Sequence, residues 1–196
     1  MNKTGFGFLR LPRRNPDDEK SIDLQTLCSL VDRFLEKGGS YFDTAYTYLG
    51  GASEDALRKT LVERYPRDRF RIADKLPGYA AKKQEDNLRF FEESRKRCGV
   101  DYFDFYLMHA QDKNSFLRYK ELRAYEISLE LLQEGKIRHF GISFHDQADV
   151  LEQILTEYPQ IEVVQIQLNY VDWDNPIVHS GKLYEILKKR NIPMII

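Results

Sequence analysis

Four side chains in this sequence are of types that could move a proton together: Asp43, Tyr48, Lys75 and His109. A free tyrosine, with a pKa of about 10, is a poor proton donor at neutral pH. An ammonium beside it favours the phenolate and brings the phenol toward the working range. A carboxylate next to that lysine holds the ammonium charged and in place. A neutral histidine at the same spot donates a hydrogen bond to a substrate oxygen and orients it. The set suits protonation of a developing alkoxide. It does not suit acyl transfer, since no Ser–His–Asp arrangement is visible, and the zinc pattern His-Glu-x-x-His is absent. Two spaced carboxylates for glycoside chemistry are not evident either. Protonating an alkoxide implies an attacking hydride, and a hydride implies a nicotinamide cofactor.

Taken singly, each residue has an ordinary structural role. Lys75 reads as a solvated strand-end group, His109 as a satisfied rim histidine, Asp43 as a turn or cap residue, and Tyr48 is one of 12 tyrosines. What joins them is the order of elements. Short β-rich apolar runs occur at Thr4–Leu11, Ser40–Ala45, Phe70–Lys75, Phe103–His109, Ile137–Ser143, Glu162–Leu168 and Ile192–Ile196. They recur roughly every 30 residues, the size of a strand–helix unit. Between them lie stripes at 3- and 4-residue spacing, the clearest being Leu24, Leu27, Cys28, Val31, Phe34 and Leu35. Gly38 and Gly135 stand where helix stops are expected, and Ser53 where an N-cap is expected. Pro12 to Asp23 reads as an exposed loop.

Six such units and a seventh strand imply a parallel sheet. A doubly wound sheet should open with a Gly-x-Gly-x-x-Gly turn, but Gly5 and Gly7 lie inside the first strand and nothing completes the motif. A barrel of strand–helix units is the better reading. The pattern stops at Ile196, so the expected fold is an α/β, (β/α)8 TIM barrel truncated within strand seven, with six helices over residues 1–196. Period two then aligns Tyr41 with Asp43, Ala73 with Lys75, Phe105 with His109, Gly141 with Ser143 and Val163 with Gln165. Asp43, Lys75, His109 and Ser143 each fall at or near the C-terminal end of a successive strand, with Gln165 on the next. In a parallel barrel those ends converge on one mouth, where such enzymes place their chemistry.

Composition narrows the partners. Among 196 residues, Lys+Arg 30 balance Asp+Glu 31 for a net charge of −1, which argues against nucleic acid. No apolar run approaches the ~20 residues of a membrane span. Cys28 and Cys98 lie far apart without a Cys-x-x-Cys, which favours a reducing, cytoplasmic setting and no metal site. No signal-peptide pattern opens the chain.

The ordered motifs resemble one family. Tyr41-Phe-Asp-Thr-Ala-Tyr-Thr-Tyr48 followed by Gly50-Gly51-Ala52-Ser53-Glu54 is similar to the aldo-keto reductase signature Asp-Thr-Ala-x-x-Tyr and Gly-x-Ser-Glu. Ala73-Asp-Lys75 resembles its strand-three lysine, and Tyr106-Leu-Met-His109 its strand-four histidine. Gly141-Ile-Ser143 and Gln165-Ile-Gln167-Leu-Asn169 resemble its fifth and sixth strands, and Gly5-Phe-Gly7 its first. The resemblance implies a (β/α)8 barrel that binds NADPH and reduces aldehydes or ketones to alcohols. Tyr48 would be the general acid, Asp43 and Lys75 would tune it, and His109 would orient a small carbonyl substrate. Ser143 and Gln165, with Asp43, would contact the cofactor. Ser143-Phe144-His145-Asp146 is similar to a subgroup carrying a C-terminal iron–sulfur segment, which these two cysteines do not supply. The family's phosphate-binding segments follow strands seven and eight, beyond this pattern. That leaves a noncatalytic fragment or binding module as the alternative, and self-association through an open barrel edge as an expectation.

Overall fold

The computed structural model describes residues 3–176 and 178–196. Seven strands form one sheet in sequence order, every neighbouring pair parallel. They are β1 Gly5–Gly7, β2 Tyr41–Asp43, β3 Arg71–Leu76, β4 Phe103–Gln111, β5 Ile137–Phe144, β6 Val163–Ile166 and β7 Met194–Ile195. Successive parallel strands need crossovers, and helices supply them. The helices are α1 Leu24–Glu36, α2 Ala52–Leu57, α3 Glu85–Cys98, α4 Lys113–Glu121, α5 Ala124–Gln133, α6 Ala148–Glu157 and α7 Ser180–Lys189.

The sheet is rolled, and one contact demonstrates it. Gln165 on β6 lies within 3.2 Å of Asp43 on β2, four strands away. In a flat sheet those strands would stand about 19 Å apart. Within the described residues β1 pairs with β2 and β7 with β6, and neither closes on the other, so the molecule is a half-barrel. Outward residues such as Phe42, Ile72, Tyr106 and Ile142 are fully buried beneath the helices. The inner face carries Tyr41, Phe105 and His139 in a row of ring contacts, 5.5 and 5.0 Å between centroids.

Local chemistry explains most element ends. The Asp23 side chain accepts from the Gln25 and Thr26 amides and starts α1, and Gly38, at φ +79°, turns the chain beyond its end. Gly135, at φ +71°, does the same after α5. Three sequence expectations need correction. Ser53 is not a cap: it lies inside α2, and its hydroxyl binds Thr44 Oγ1 at 2.7 Å and the Phe8 carbonyl at 3.0 Å. The described residues hold seven α-helices rather than six, because the β4–β5 connection carries two. Helix α4 buries only Phe116 and Tyr119, too few to register as a stripe, and is started by a reciprocal Asp112–Ser115 capping box. The first strand pairs only over Gly5–Gly7 rather than Thr4–Leu11, since the chain leaves β2 after one further bond from the Phe8 amide to Asp43.

Close strand packing makes Gly141 obligatory. A Cβ there would stand 2.3 Å from the Val163 carbonyl oxygen and 2.8 Å from Leu107 Cδ2. Gly141→Ala should therefore destabilise the fold by about 1–3 kcal/mol. A lower urea midpoint with an unchanged slope would show it; an unchanged midpoint would mean that β5 and β6 can separate freely.

Candidate active site

Tyr48 is presented by a turn, not by a strand. After β2 the chain forms a tight helical turn, Tyr48–Gly51, in which Leu49, Gly50 and Gly51 have φ of 53°, 58° and 90°. Left-handed backbone at a leucine costs about 1–3 kcal/mol, and the buried Leu49 side chain offsets it. At Gly51 a Cβ would also meet Arg97 Nη1 at 2.6 Å. Just upstream, the Tyr46 hydroxyl donates to Glu93 at 2.6 Å and its ring lies 4.0 Å from the Arg97 guanidinium carbon. The turn is thus pinned to α3 on one side and continues into α2 on the other.

Lys75, one residue from the end of β3, is fully buried. Its Nζ lies 2.5 Å from Asp43 Oδ1, 2.8 Å from the Thr44 carbonyl oxygen and 3.1 Å from the Tyr48 hydroxyl. An ammonium has three donors and no lone pair. All three are used, and the Tyr48 oxygen accepts one, so the phenol proton must point away from the lysine, toward the open mouth. Burial pulls the ammonium's pKa down, but Asp43 and Tyr48 outweigh it and hold the group above its usual value.

His109 stands across from this pair, its ring centroid 5.7 Å from that of Tyr48. Burial, then the Lys75 and His145 charges, push its pKa down to about 3, so the ring is neutral at physiological pH. Its Nδ1 is buried and has no hydrogen-bond partner. Ser143 and Gln165 are paired in register on β5 and β6. Gln165 Nε2 donates to Asp43 Oδ2 at 3.2 Å, so that carboxylate bridges Lys75 and Gln165.

The six residues expected from the sequence gather at one mouth. Three contributors escaped that reading. The Thr44 carbonyl is a backbone group, which no side-chain pattern reports. Tyr79 lies 5.9 Å from His109 and its hydroxyl 3.4 Å from Thr47 Oγ1, walling the mouth from the loop after β3. His145 reaches back to place Nε2 3.2 Å from the Ser143 hydroxyl; its position beside the strand-five serine was the available signal.

The sequence profile of the aldo/keto reductase family matches residues 3–196. The chain belongs to that family. Among curated relatives, the 9,11-endoperoxide prostaglandin H2 reductase of Trypanosoma cruzi (strain CL Brener) is 28% identical over 190 residues, 94% of this chain and 60% of its own length. Human aldo-keto reductase family 7 member A3 is 31% identical over 152 residues, 76% of this chain and 43% of its own length. The chain spans about half the length of the curated relatives it matches. Among solved structures, the aldo-keto reductase from Klebsiella pneumoniae in complex with NADPH superposes with a TM-score of 0.71 at 21% identity, over 97% of this chain and 61% of its own. The rolled seven-stranded sheet is therefore part of an aldo-keto reductase (β/α)8 barrel.

The electrostatics of the mouth can be tested directly. A histidine whose folded pKa is depressed contributes stability that is present above its ordinary value of 6.5 and lost as pH falls toward about 3. His109 ring resonances in NMR should accordingly stay those of the neutral form through that window. Lys75→Met should move the midpoint upward. Titration near 6.5 in the unmodified protein would mean that the ring is solvated.

Proposed function

We propose that this aldo-keto reductase chain carries the proton-transfer apparatus of an NADPH-dependent reduction of aldehydes or ketones to alcohols, with Tyr48 as general acid. The observation that carries the reading is the set of three acceptors on the buried Lys75 ammonium, one of them the Tyr48 oxygen. Surface lysines are not organised in this way, and a purely structural lysine has no need of a phenol.

The residues fit a nicotinamide at the mouth. Ser143 and Gln165 place a hydroxyl and a carboxamide side by side on adjacent strands, a donor–acceptor pair matched to the carboxamide of the ring. When bound, the cofactor supplies a hydride to the carbonyl carbon. His109, neutral, orients the carbonyl oxygen without placing a second cation beside Lys75. Tyr48 gives its proton to that oxygen as negative charge develops on it. The Lys75 ammonium, already bonded to the phenol oxygen, stabilises the phenolate left behind. Asp43 keeps the ammonium in place, and Gln165 keeps Asp43 in place.

Reduction of a small aldehyde, followed by NADPH oxidation, tests the assignment. Tyr48→Phe keeps the ring and removes the proton, and should lower kcat by about 10²–10⁴-fold. NADPH affinity, read by quenching of the single tryptophan, Trp173, should be nearly unchanged. Full turnover in Tyr48→Phe would remove Tyr48 from the acid role.

A further inference from the structure

Behind the mouth, on the outer face of the sheet, lies a second cluster of ionisable groups that carbonyl reduction does not use. Asp74 precedes Lys75 on β3 and points the opposite way, as alternation along a strand requires. Its Oδ1 accepts from the Lys75 amide at 2.7 Å. Its Oδ2 is buried and makes no hydrogen bond, nor does the buried Oε1 of Glu54 on α2, whose Oε2 faces Arg97. Both residues have zero exposure. One oxygen of each and Cys98 Sγ, from α3, lie within 4.8 Å of one another.

The surroundings cannot neutralise two carboxylates. Arg97 of α3 places Nη1 2.9 Å from Glu54 Oε2. Lys75 also attracts Asp74, but its ammonium lies on the other face of β3, engaged by Asp43. Cys98 and Tyr106, which face the cluster from α3 and β4, are both pushed up by burial and are neutral. Ionised carboxylates only accept hydrogen bonds. The buried Ser94 hydroxyl of α3 also faces both carboxyls and favours their ionised forms, but one hydroxyl proton serves only one acceptor at a time. Two carboxylates facing each other in a dry interior repel, and a retained proton removes the repulsion while supplying a further donor.

We propose that Glu54 and Asp74 share a single proton, so that the segment presenting Tyr48 is joined to the strand carrying Lys75 by an acid–carboxylate hydrogen bond. Helix α2 begins directly after the Tyr48 turn, and β3 delivers Lys75. The shared proton clamps the two together while Arg97 grips Glu54 and Tyr46 from outside. Glu54 and Asp74 are then positioning residues for the 3.1 Å contact between Lys75 and Tyr48. That bearing on the acid rests on the carbonyl-reduction reading. The shared proton itself does not.

Burial, then Asp74, push Glu54 up to about 9, and burial raises Asp74 as well. The protons belong to the pair rather than to either member. A carboxyl whose folded value is raised contributes stability that is fully present below its ordinary 4.5 and lost as pH rises through about 9. Glu54→Gln supplies permanent donors in the same shape, whereas Glu54→Ala leaves Asp74 without a partner.

Thermal melts across that window, with infrared spectra and hydrogen exchange, decide the matter. The unmodified protein should lose Tm as pH rises, while Glu54→Gln should stay flat and exceed it by about 3 °C or more at the alkaline end. A deuterium-sensitive protonated-carboxyl band at neutral pH should be present in the unmodified protein and absent from Glu54→Gln. The Ala52 amide, bonded to the Tyr48 and Leu49 carbonyls, should keep its protection in Glu54→Gln and lose it in Glu54→Ala. Parallel melts without the band would mean two ionised carboxylates and would overturn the proposal. So would Zn2+ that raises the Tm of the unmodified protein but not that of Glu54→Gln, since the cluster would then be a metal site. No readout involves NADPH or a carbonyl substrate, so failure of the reductase reading leaves all of them interpretable.

Discussion

The buried ammonium of Lys75 is the interaction on which the site depends. A charge withdrawn from water persists only if the fold surrounds it with acceptors. This fold supplies three, from β2, from the backbone just beyond it, and from the following turn. Each acceptor is in turn constrained. Asp43 is held by Gln165 across the rolled sheet, Thr44 through its hydroxyl by Ser53, and Tyr48 by a turn with three left-handed residues. Loss of curvature would separate Gln165 from Asp43, and loss of the turn would remove Tyr48. The geometry of the sheet and the protonation of the site are one problem.

Charge is partitioned across β3 with the same economy. On the inner face Lys75 meets a carboxylate and a neutral histidine; on the outer face Asp74 meets Glu54, which the Arg97 guanidinium holds from its other side. Alternation along one strand sends Asp74 and Lys75 to opposite faces, where each needs its own partners. The mouth carries a cation that polarises a phenol, and the helix side carries an excess of acceptors. A proton held between Glu54 and Asp74 relieves that excess without a second buried cation.

Much of this was legible in the residues. Period two placed Asp43, Lys75, His109, Ser143 and Gln165 on one face of successive strands, because side chains alternate along a regular strand. Helix stops at Gly38 and Gly135 followed from the positive φ that glycine adopts without steric cost. Helix α4 was not legible, since its tertiary contacts rest on two aromatic residues and its start on a local capping box. Ser53 misled because a serine before an apolar stripe reads as a cap, whereas a buried hydroxyl goes wherever an unpaired carbonyl needs it.

By itself, then, the sequence determined which residues could meet: strand parity and the spacing of units are local properties, written in residue order. It also determined the proton-moving character of the set, which follows from side-chain type. Tertiary structure decided the distances and the directions. It rolled the sheet until Gln165 reached Asp43, aimed the Tyr48 proton away from Lys75, and set Glu54 against Asp74. Those outcomes depend on curvature and on burial summed over elements far apart in the chain, and no local pattern encodes either.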